Sequence, residues 1–306
     1  MTHLRESRCG IFSVERRPDN RQHRHFTQII VQLDFLISLL PHLSFLIGAG
    51  LVAGFVAGLF GVGGGTVTVP VLFYWFLHMQ VPSDVAMHTA VATSLATIIA
   101  TSLASSRAYE RRGSIDHVML RRWAPFIAVG SIVGAALAAV LSGAVLRGIF
   151  GGFLLSLAIY MLFGSYGRML QNRLPSKPWQ RLIAGLIGTL SSLAGIGGGA
   201  VSVPVMTFYN VPMQMAAGTS SAFGVIIAVP AVVGLVLIGW DHASLPAFSV
   251  GYVNLLALAV LLPATAIMAP IGAGLAHGLS KRLLRRMFGV FLTAVASKML
   301  WGLVFP

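Results

Sequence analysis

Two glycine runs carry the strongest chemical pattern in this chain: Gly61-Val-Gly-Gly-Gly-Thr-Val-Thr-Val-Pro70 and Gly195-Ile-Gly-Gly-Gly-Ala-Val-Ser-Val-Pro204. Three consecutive glycines (Gly63, Gly64, Gly65; Gly197, Gly198, Gly199) do not continue a helix cheaply. A helix restarting at Thr66 or Ala200 presents backbone N–H groups without intrahelical partners. Those donors and the positive helix end favour an anion, and the missing Cβ atoms let backbone approach it. Thr66, Thr68 and Ser202 add hydroxyls within a turn, and Pro70 and Pro204 close each motif. The competing reading is a tight re-entrant turn with no ligand contact. Gly195-x-Gly-x-x-Ala200 formally matches a dinucleotide fingerprint, but no strand pattern precedes it and no acid follows at the needed distance. Neither run ends in the Gly-Lys-Ser/Thr of a phosphate loop.

A polar cluster follows each motif. The first comprises His88, Thr89, Thr93 and Ser94, then Thr97 and Thr101; the second comprises Thr219, Ser220 and Ser221. Thr89 and Thr219 coincide when Val81-Pro82 is aligned with Val211-Pro212. In lipid such hydroxyls can bond back to their own helix; clustered beside a glycine break, they are candidates to line a pathway. His88 is the histidine that lies within a predicted span and away from the ends where His78 and His277 fall. Intramembrane titratable groups are functional candidates by default, against a satisfied packing role; its aligned residue is Gly218, so any role is asymmetric. Lys298 is expected to snorkel to the interface, and Asp84, just after Pro82, to cap a helix start.

Enzymes and metal centres find little support. The chain holds eight carboxylates, mostly in tail and loops, and one cysteine, Cys9, which excludes an intrachain disulfide or thiolate cluster. No catalytic constellation appears, so the expectation is a non-enzyme with no metal and no cofactor.

The positioning elements follow from composition. Of 306 residues, 56% are apolar and 9% charged, against roughly 25% charged in soluble domains. From His25 to Ser106 there is no Lys or Arg, and hydrocarbon is the solvent that suits such a stretch. The net charge of +13 lies in blocks between apolar runs, the marking of cytoplasmic loops rather than a nucleic-acid face. Residues 1–27 hold six arginines and read as a basic disordered tail. Residues 28–44 form an uncertain hydrophobic lead segment interrupted by Asp34 and Pro41, unlike a cleaved signal peptide.

The rest is two copies of one unit. Besides the glycine motifs, Gly134-Ala-Ala-Leu-Ala-Ala-Val-Leu-Ser142 matches Gly272-Ala-Gly-Leu-Ala-His-Gly-Leu-Ser280 without a gap. We expect repeats at 45–166 and 179–304 joined by a linker at 167–178, each with five hydrophobic segments. These run at 45–60, 66–78, 84–106, 118–141 and 146–166, then 179–194, 200–210, 213–238, 250–278 and 283–304. All five tryptophans fall near segment ends, as interfacial rings do. Glycines four apart, such as Gly130/Gly134, suit close helix packing. The loop after the third segment carries five arginines in the first repeat and none in the second; the loop after the fourth reverses this. Equivalent loops therefore face opposite sides, and the repeats are inverted. By that count residue 45 lies outside, against the arginine-rich tail; an extra crossing at 28–43, an external tail or a misassigned start would each account for it.

The twin motifs, the Thr/Ser-rich helix after each and the basic loop near Gly113 resemble the sulfite exporter TauE/SafE family, also called the four-toluene sulfonate uptake permease family. The resemblance covers residues 46 to 302 or so. It implies a multi-pass carrier of small anions, commonly sulfur-containing, in a bacterial inner membrane. Only Gly61, Gly63 to Gly65 and Pro70, with Gly195, Gly197 to Gly199 and Pro204, match the motif firmly. Two departures stand out: Gly58 becomes Ser192 between repeats, and about four extra residues precede Pro82.

The expectation is an all-α, polytopic inverted-repeat transporter moving a small anion, such as sulfite or an organosulfonate, by alternating access. The alternatives are a passive anion channel and an intramembrane enzyme or scaffold. Expected partners are the anion and the lipid bilayer, not nucleic acid; a homo-oligomer, the direction of transport and the coupling ion stay open.

Overall fold

The computed structural model describes residues 43–56, 64–163, 175–278 and 281–304. The chain divides into Met1–Ser44 and Phe45–Pro306. The basic tail, the lead segment up to residue 42, Gly61, Gly63 and most of the linker lie outside the described residues.

The described chain is helical almost throughout. The first half holds α1 (Leu43–Val56), α2 (Gly65–His78), α3 (Ser83–Glu110), α4 (His117–Val140) and α5 (Gly143–Phe163). The second holds α6 (Lys177–Leu193), α7 (Gly199–Phe208), α8 (Met213–Ile238), α9 (Leu255–Gly278) and α10 (Lys281–Val304). The segment expected to begin at 250 starts instead with a two-stranded ladder, Ser249–Val250 against Val253–Asn254, which turns at Gly251 with φ +54°.

Among the described residues, α3, α4, α5 and α8 are long and apolar enough to cross a membrane. Large apolar side chains face outward on several helices, including Val129 and Ile132 on α4, Phe163 on α5 and Val233 on α8; that is stable only against hydrocarbon. The molecule is thus a polytopic, all-α membrane protein. The helices that flank the glycine motifs are short. With 14 residues in α2 and 10 in α7, they run about 21 and 15 Å at 1.5 Å per residue, well below a core of about 30 Å.

The short helices end alike. Gln80 (φ +61°) and Asn210 (φ +65°) take the left-handed conformation that closes a helix. Val81 and Val211 then donate back to Phe76 and Met206, and Pro82 and Pro212 start the next long helix. α3 forms the centre: every residue from Val85 to Ile98 is buried, and its Ala, Thr and Ser side chains let neighbours close in from all sides.

Reciprocal contacts give the symmetry. A Cβ on Gly54 would lie 2.6 Å from the Thr265 carbonyl oxygen, and one on Gly188 would strike the Ile127 carbonyl. In the register of the glycine motifs Gly54 falls on Gly188, and in the register of Gly134 with Gly272 Ile127 falls on Thr265. Likewise Gly151 packs on Leu300 while Gly289 packs on Leu162. These last contacts join the beginning of α5 to the end of α10 and the reverse, so the two helices are antiparallel. A two-fold axis that exchanges antiparallel neighbours runs across them, which makes the repeats inverted.

The tight crossings set one expected outcome. Gly130 and Gly134 of α4 press on backbone at Gly185 and Thr189 of α6, whereas Gly152 has nothing within 4 Å of an added Cβ. Gly130→Leu should remove folded protein from the membrane, since overpacking costs about 1–3 kcal/mol or more. Gly152→Ala should leave the thermal midpoint in detergent unchanged.

Two tryptophans do not sit at an interface. Trp75 and Trp123 are 2% and 1% exposed, and Trp123 stacks on Phe223 with ring centroids 6.0 Å apart. Their helices are enclosed at those levels, so a segment end in the sequence is not a headgroup level. Trp179, Trp240 and Trp301 are exposed.

Candidate functional site

The chain leaves α6 two residues past its end at Gly195, whose φ of +64° only glycine adopts without strain. Its own N–H returns to Ser192, and Ile196 donates to Ser191 at 3.0 Å. This closure aims the Gly195 carbonyl at α3, where the Ser94 hydroxyl donates to it at 2.9 Å. The same carbonyl faces the first motif: a Cβ on Gly65 would lie 2.5 Å from it and 2.8 Å from Ile196 Cα. The start of α2 and the loop 194–198 are therefore in backbone contact near the midpoint of α3. Ile98, one turn beyond Ser94, touches the Cβ positions of both Gly65 (3.1 Å) and Gly197 (3.4 Å). Gly198 begins α7 against Ser220 and Phe223 of α8, within about 10 Å of Gly195 by chain length.

The two half-helices start identically. Gly64 and Gly198 occupy the N-cap positions, and neither helix has a side-chain capping bond. The Thr68 hydroxyl bonds to the Gly64 carbonyl and the Ser202 hydroxyl to the Gly198 carbonyl. Thr66 is buried beside Gly65. Pro70 and Pro204 are each the sixth residue of their helix; lacking N–H, they leave the carbonyls of Thr66 and Ala200 without the usual intrahelical donor. No acidic residue occurs between Asp84 and Glu110 or after Asp241, so among the described residues no carboxylate comes from the segments that build this junction. Among the described residues no cluster of His, Cys, Asp or Glu could hold a metal ion.

The hydroxyls predicted to line a pathway divide into two kinds. Thr89 donates to Val85 and Ser220 to Ala217, each on its own helix. Thr93 and Thr219 instead accept from the opposite repeat: the Asn254 N–H donates to Thr93 Oγ1 and the Asp116 N–H to Thr219 Oγ1, both at 3.0 Å. Asp116 and Asn254 are equivalent in the register of Gly134 with Gly272. Hence Thr93, one turn beyond Thr89, is the working counterpart of Thr219. Thr93→Val or Thr219→Val should lower stability by about 1–3 kcal/mol, because a buried N–H loses its acceptor, and Thr89→Val by much less. Thermal unfolding of the purified protein separates these outcomes.

Asp116 and Asn254 escaped the sequence reading. Each caps the helix that follows, the Asp116 carboxylate accepting from Met119 at 2.9 Å and the Asn254 amide oxygen from Ala257 at 2.8 Å. A cap-type residue before an apolar run was visible; that its own N–H reaches the other repeat was not. Asp84 does cap a helix, but α5 rather than its own: its carboxylate accepts from the Gly143 N–H. Lys298 places its ammonium over the Tyr74 ring, 4.5 Å from the centroid. His88 is 5% exposed, with Nδ1 2.7 Å from the Asp84 carbonyl and Nε2 2.8 Å from the Ala138 carbonyl.

A family model described as "Sulfite exporter TauE/SafE" matches residues 46–299. A "Probable membrane transporter protein" of Haemophilus influenzae is 32% identical over 261 residues, covering 84% of this chain and 97% of its own. One from Xylella fastidiosa is 30% identical, covering 83% and 94%. One from Methanocaldococcus jannaschii is 28% identical, covering 77% and 86%. No solved structure matches the chain.

Proposed function

The chain belongs to the sulfite exporter TauE/SafE family, and from that premise we propose that it carries a small anion, a sulfur oxyanion or organosulfonate such as sulfite, across the inner membrane by alternating access. One observation carries the reading. The uncapped start of α2 meets the second glycine loop in the interior, and among the described residues no carboxylate comes from the segments that build the junction. Backbone N–H groups and helix dipoles there supply positive potential without a basic side chain. A fixed cation would hold the anion tightly; partial charges bind it weakly enough to release. Reciprocal bonds from Asn254 to Thr93 and from Asp116 to Thr219 tie each repeat to the other's central helix, a suitable hinge for one repeat moving against its partner.

The test is flux of labelled sulfite, sulfoacetate, thiosulfate and acetate in proteoliposomes containing the full chain. Saturable movement of a sulfur anion, absent from empty vesicles, is the expected result. Movement of none of the four, from protein whose unfolding is cooperative, would overturn the assignment of this anion class.

A further inference from the structure

His88 sits where α3 meets the corner between α4 and α5. Its Nε2 faces the Ala138 carbonyl in the last turn of α4, one of the carbonyls that a helix end leaves without an intrahelical partner. Its Nδ1 faces the Asp84 carbonyl one turn back on α3. Both neighbours are acceptors without protons. A neutral imidazole has one N–H and can satisfy only one of them; the imidazolium has two and satisfies both. The negative end of the α4 dipole favours the same form.

The surroundings agree. Asp84, whose carboxylate holds the Gly143 N–H at the start of α5, is the acid on this turn. Tyr252 covers the imidazole face with ring centroids 5.1 Å apart, and His242 lies against Tyr252 at 5.7 Å. Burial first, and the charge of Asp84 second, raise the Tyr252 hydroxyl above its ordinary range, so this ring is a neutral cover and not a competing base. Other charged or titratable groups on helices packed against α3 are Tyr74 and His78 on α2, Arg147 (one turn beyond Gly143) and Tyr160 on α5, Lys177 and Arg181 on α6, and His277 in the last turn of α9; α8 has none, and those of α4, His117, Arg121 and Arg122, lie at its start, away from Ala138. His242 is exposed, and its loop lies at the end of α3 opposite Arg107. At 1.5 Å per residue, His88 is about 28 Å along α3 from that arginine.

From this geometry we infer that His88 is a proton-binding site, loaded from the face opposite the arginine-rich loop past His242 and Tyr252, whose occupancy couples protons to the carrier cycle. The proton adds to the free ring nitrogen from solvent and returns to solvent; no other bond changes. Bound, it lets one side chain hold α3 to the end of α4, while Asp84 holds α3 to the start of α5. Released, the ring keeps a single N–H, so either the Asp84 or the Ala138 carbonyl faces a bare ring nitrogen within 2.8 Å and the corner must shift to relieve it. The equivalent residue in the second repeat is Gly218, packed directly on the Ser114 carbonyl, so only one face carries the device. The proton site stands on geometry alone; its coupling role rests on the carrier reading.

Nitrogen-15 NMR of the full chain in lipid nanodiscs tests the site without any substrate. His88 is identified in the unmutated protein by correlation of its ring nitrogens to carbonyl-labelled Asp84 and Ala138. Both nitrogens protonated at low pH, with one proton lost on raising the pH, is the expected result. A singly protonated ring from about pH 5 to pH 9, across the usual histidine range, would overturn the site. Thermal midpoints give the second reading. A proton bound in the folded form stabilises it at low pH, so the midpoint should fall as pH rises through the titration, and His88→Gln should lose that slope. Coupling is read last: flux should depend on an imposed pH gradient in the parent and lose that dependence in His88→Gln. An imidazolium at His88 with equal gradient dependence in both proteins would overturn the coupling while leaving the site. Absence of flux in the parent would count against the carrier assignment instead.

Discussion

Gly65→Ala is expected to abolish transport, while Gly64→Ala, one residue away, transports close to the parent rate. The asymmetry is a matter of backbone. A methyl on Gly65 lands 2.5 Å from the Gly195 carbonyl oxygen and 2.8 Å from Ile196 Cα. Gly195 cannot retreat, because its φ of +64° closes α6 and its carbonyl is held by Ser94. A methyl on Gly64 meets only Thr68 Oγ1, at the ordinary distance of 3.5 Å, and its backbone is already right-handed with φ −61°. Overpacking of this kind costs about 1–3 kcal/mol or more; if that cost falls on the transporting geometry, flux drops roughly tenfold per 1.4 kcal/mol. Initial rates in proteoliposomes, normalised to reconstituted protein, check it. Equal rates in the two variants would show that the contact between the motifs does not matter to transport.

Asn254→Asp is expected to be severely destabilising, and its mirror, Asp116→Asn, nearly silent. The two positions look interchangeable, since each caps a helix and donates its N–H to a threonine of the other repeat. They differ in one group. The Asn254 amide nitrogen donates to the Ala247 carbonyl at 2.9 Å and the Ser249 hydroxyl at 3.1 Å, and this residue is 1% exposed. Aspartate would set an unpaired carboxylate oxygen against a carbonyl in a buried turn, at about 2–5 kcal/mol. Asp116 only accepts, from Met119, and asparagine keeps that acceptor at about the same capping strength. Thermal unfolding of both variants should give a large drop for the first and little change for the second. Equal drops would mean that the ladder Ser249–Asn254 is not held as described.

What could be read from the chain was whatever repeats or is periodic. The duplicated glycine runs gave the breaks before α2 and α7, and the exchange of arginine-rich loops gave the inversion that Gly151–Leu300 and Gly289–Leu162 display geometrically. The membrane character followed from the absence of charge. What could not be read depends on partners far along the chain. Asp84 looked like a local cap because Pro82 precedes it, yet its hydrogen-bond partner is Gly143. Thr89 matched Thr219 by position, yet the bond that mirrors the one from Asp116 to Thr219 is made one turn further along α3, from Asn254 to Thr93. Trp75 and Trp123 lie at segment ends in the sequence and inside the bundle in space, since a half-helix can end within the protein. His88 was visible as an oddity; the Ala138 carbonyl opposite its second nitrogen, 50 residues along the chain, was not.

Counterflow is the most direct test of the central claim that the two glycine motifs form a carrier site for a small anion. Proteoliposomes preloaded with unlabelled sulfite would be diluted into a trace of labelled sulfite, and internal label followed with time. A carrier predicts a transient overshoot above the equilibrium level, saturable in external sulfite and absent from Gly65→Ala. Label that rises only to equilibrium, linearly with concentration and alike in parent and variant, would contradict both the carrier and the site.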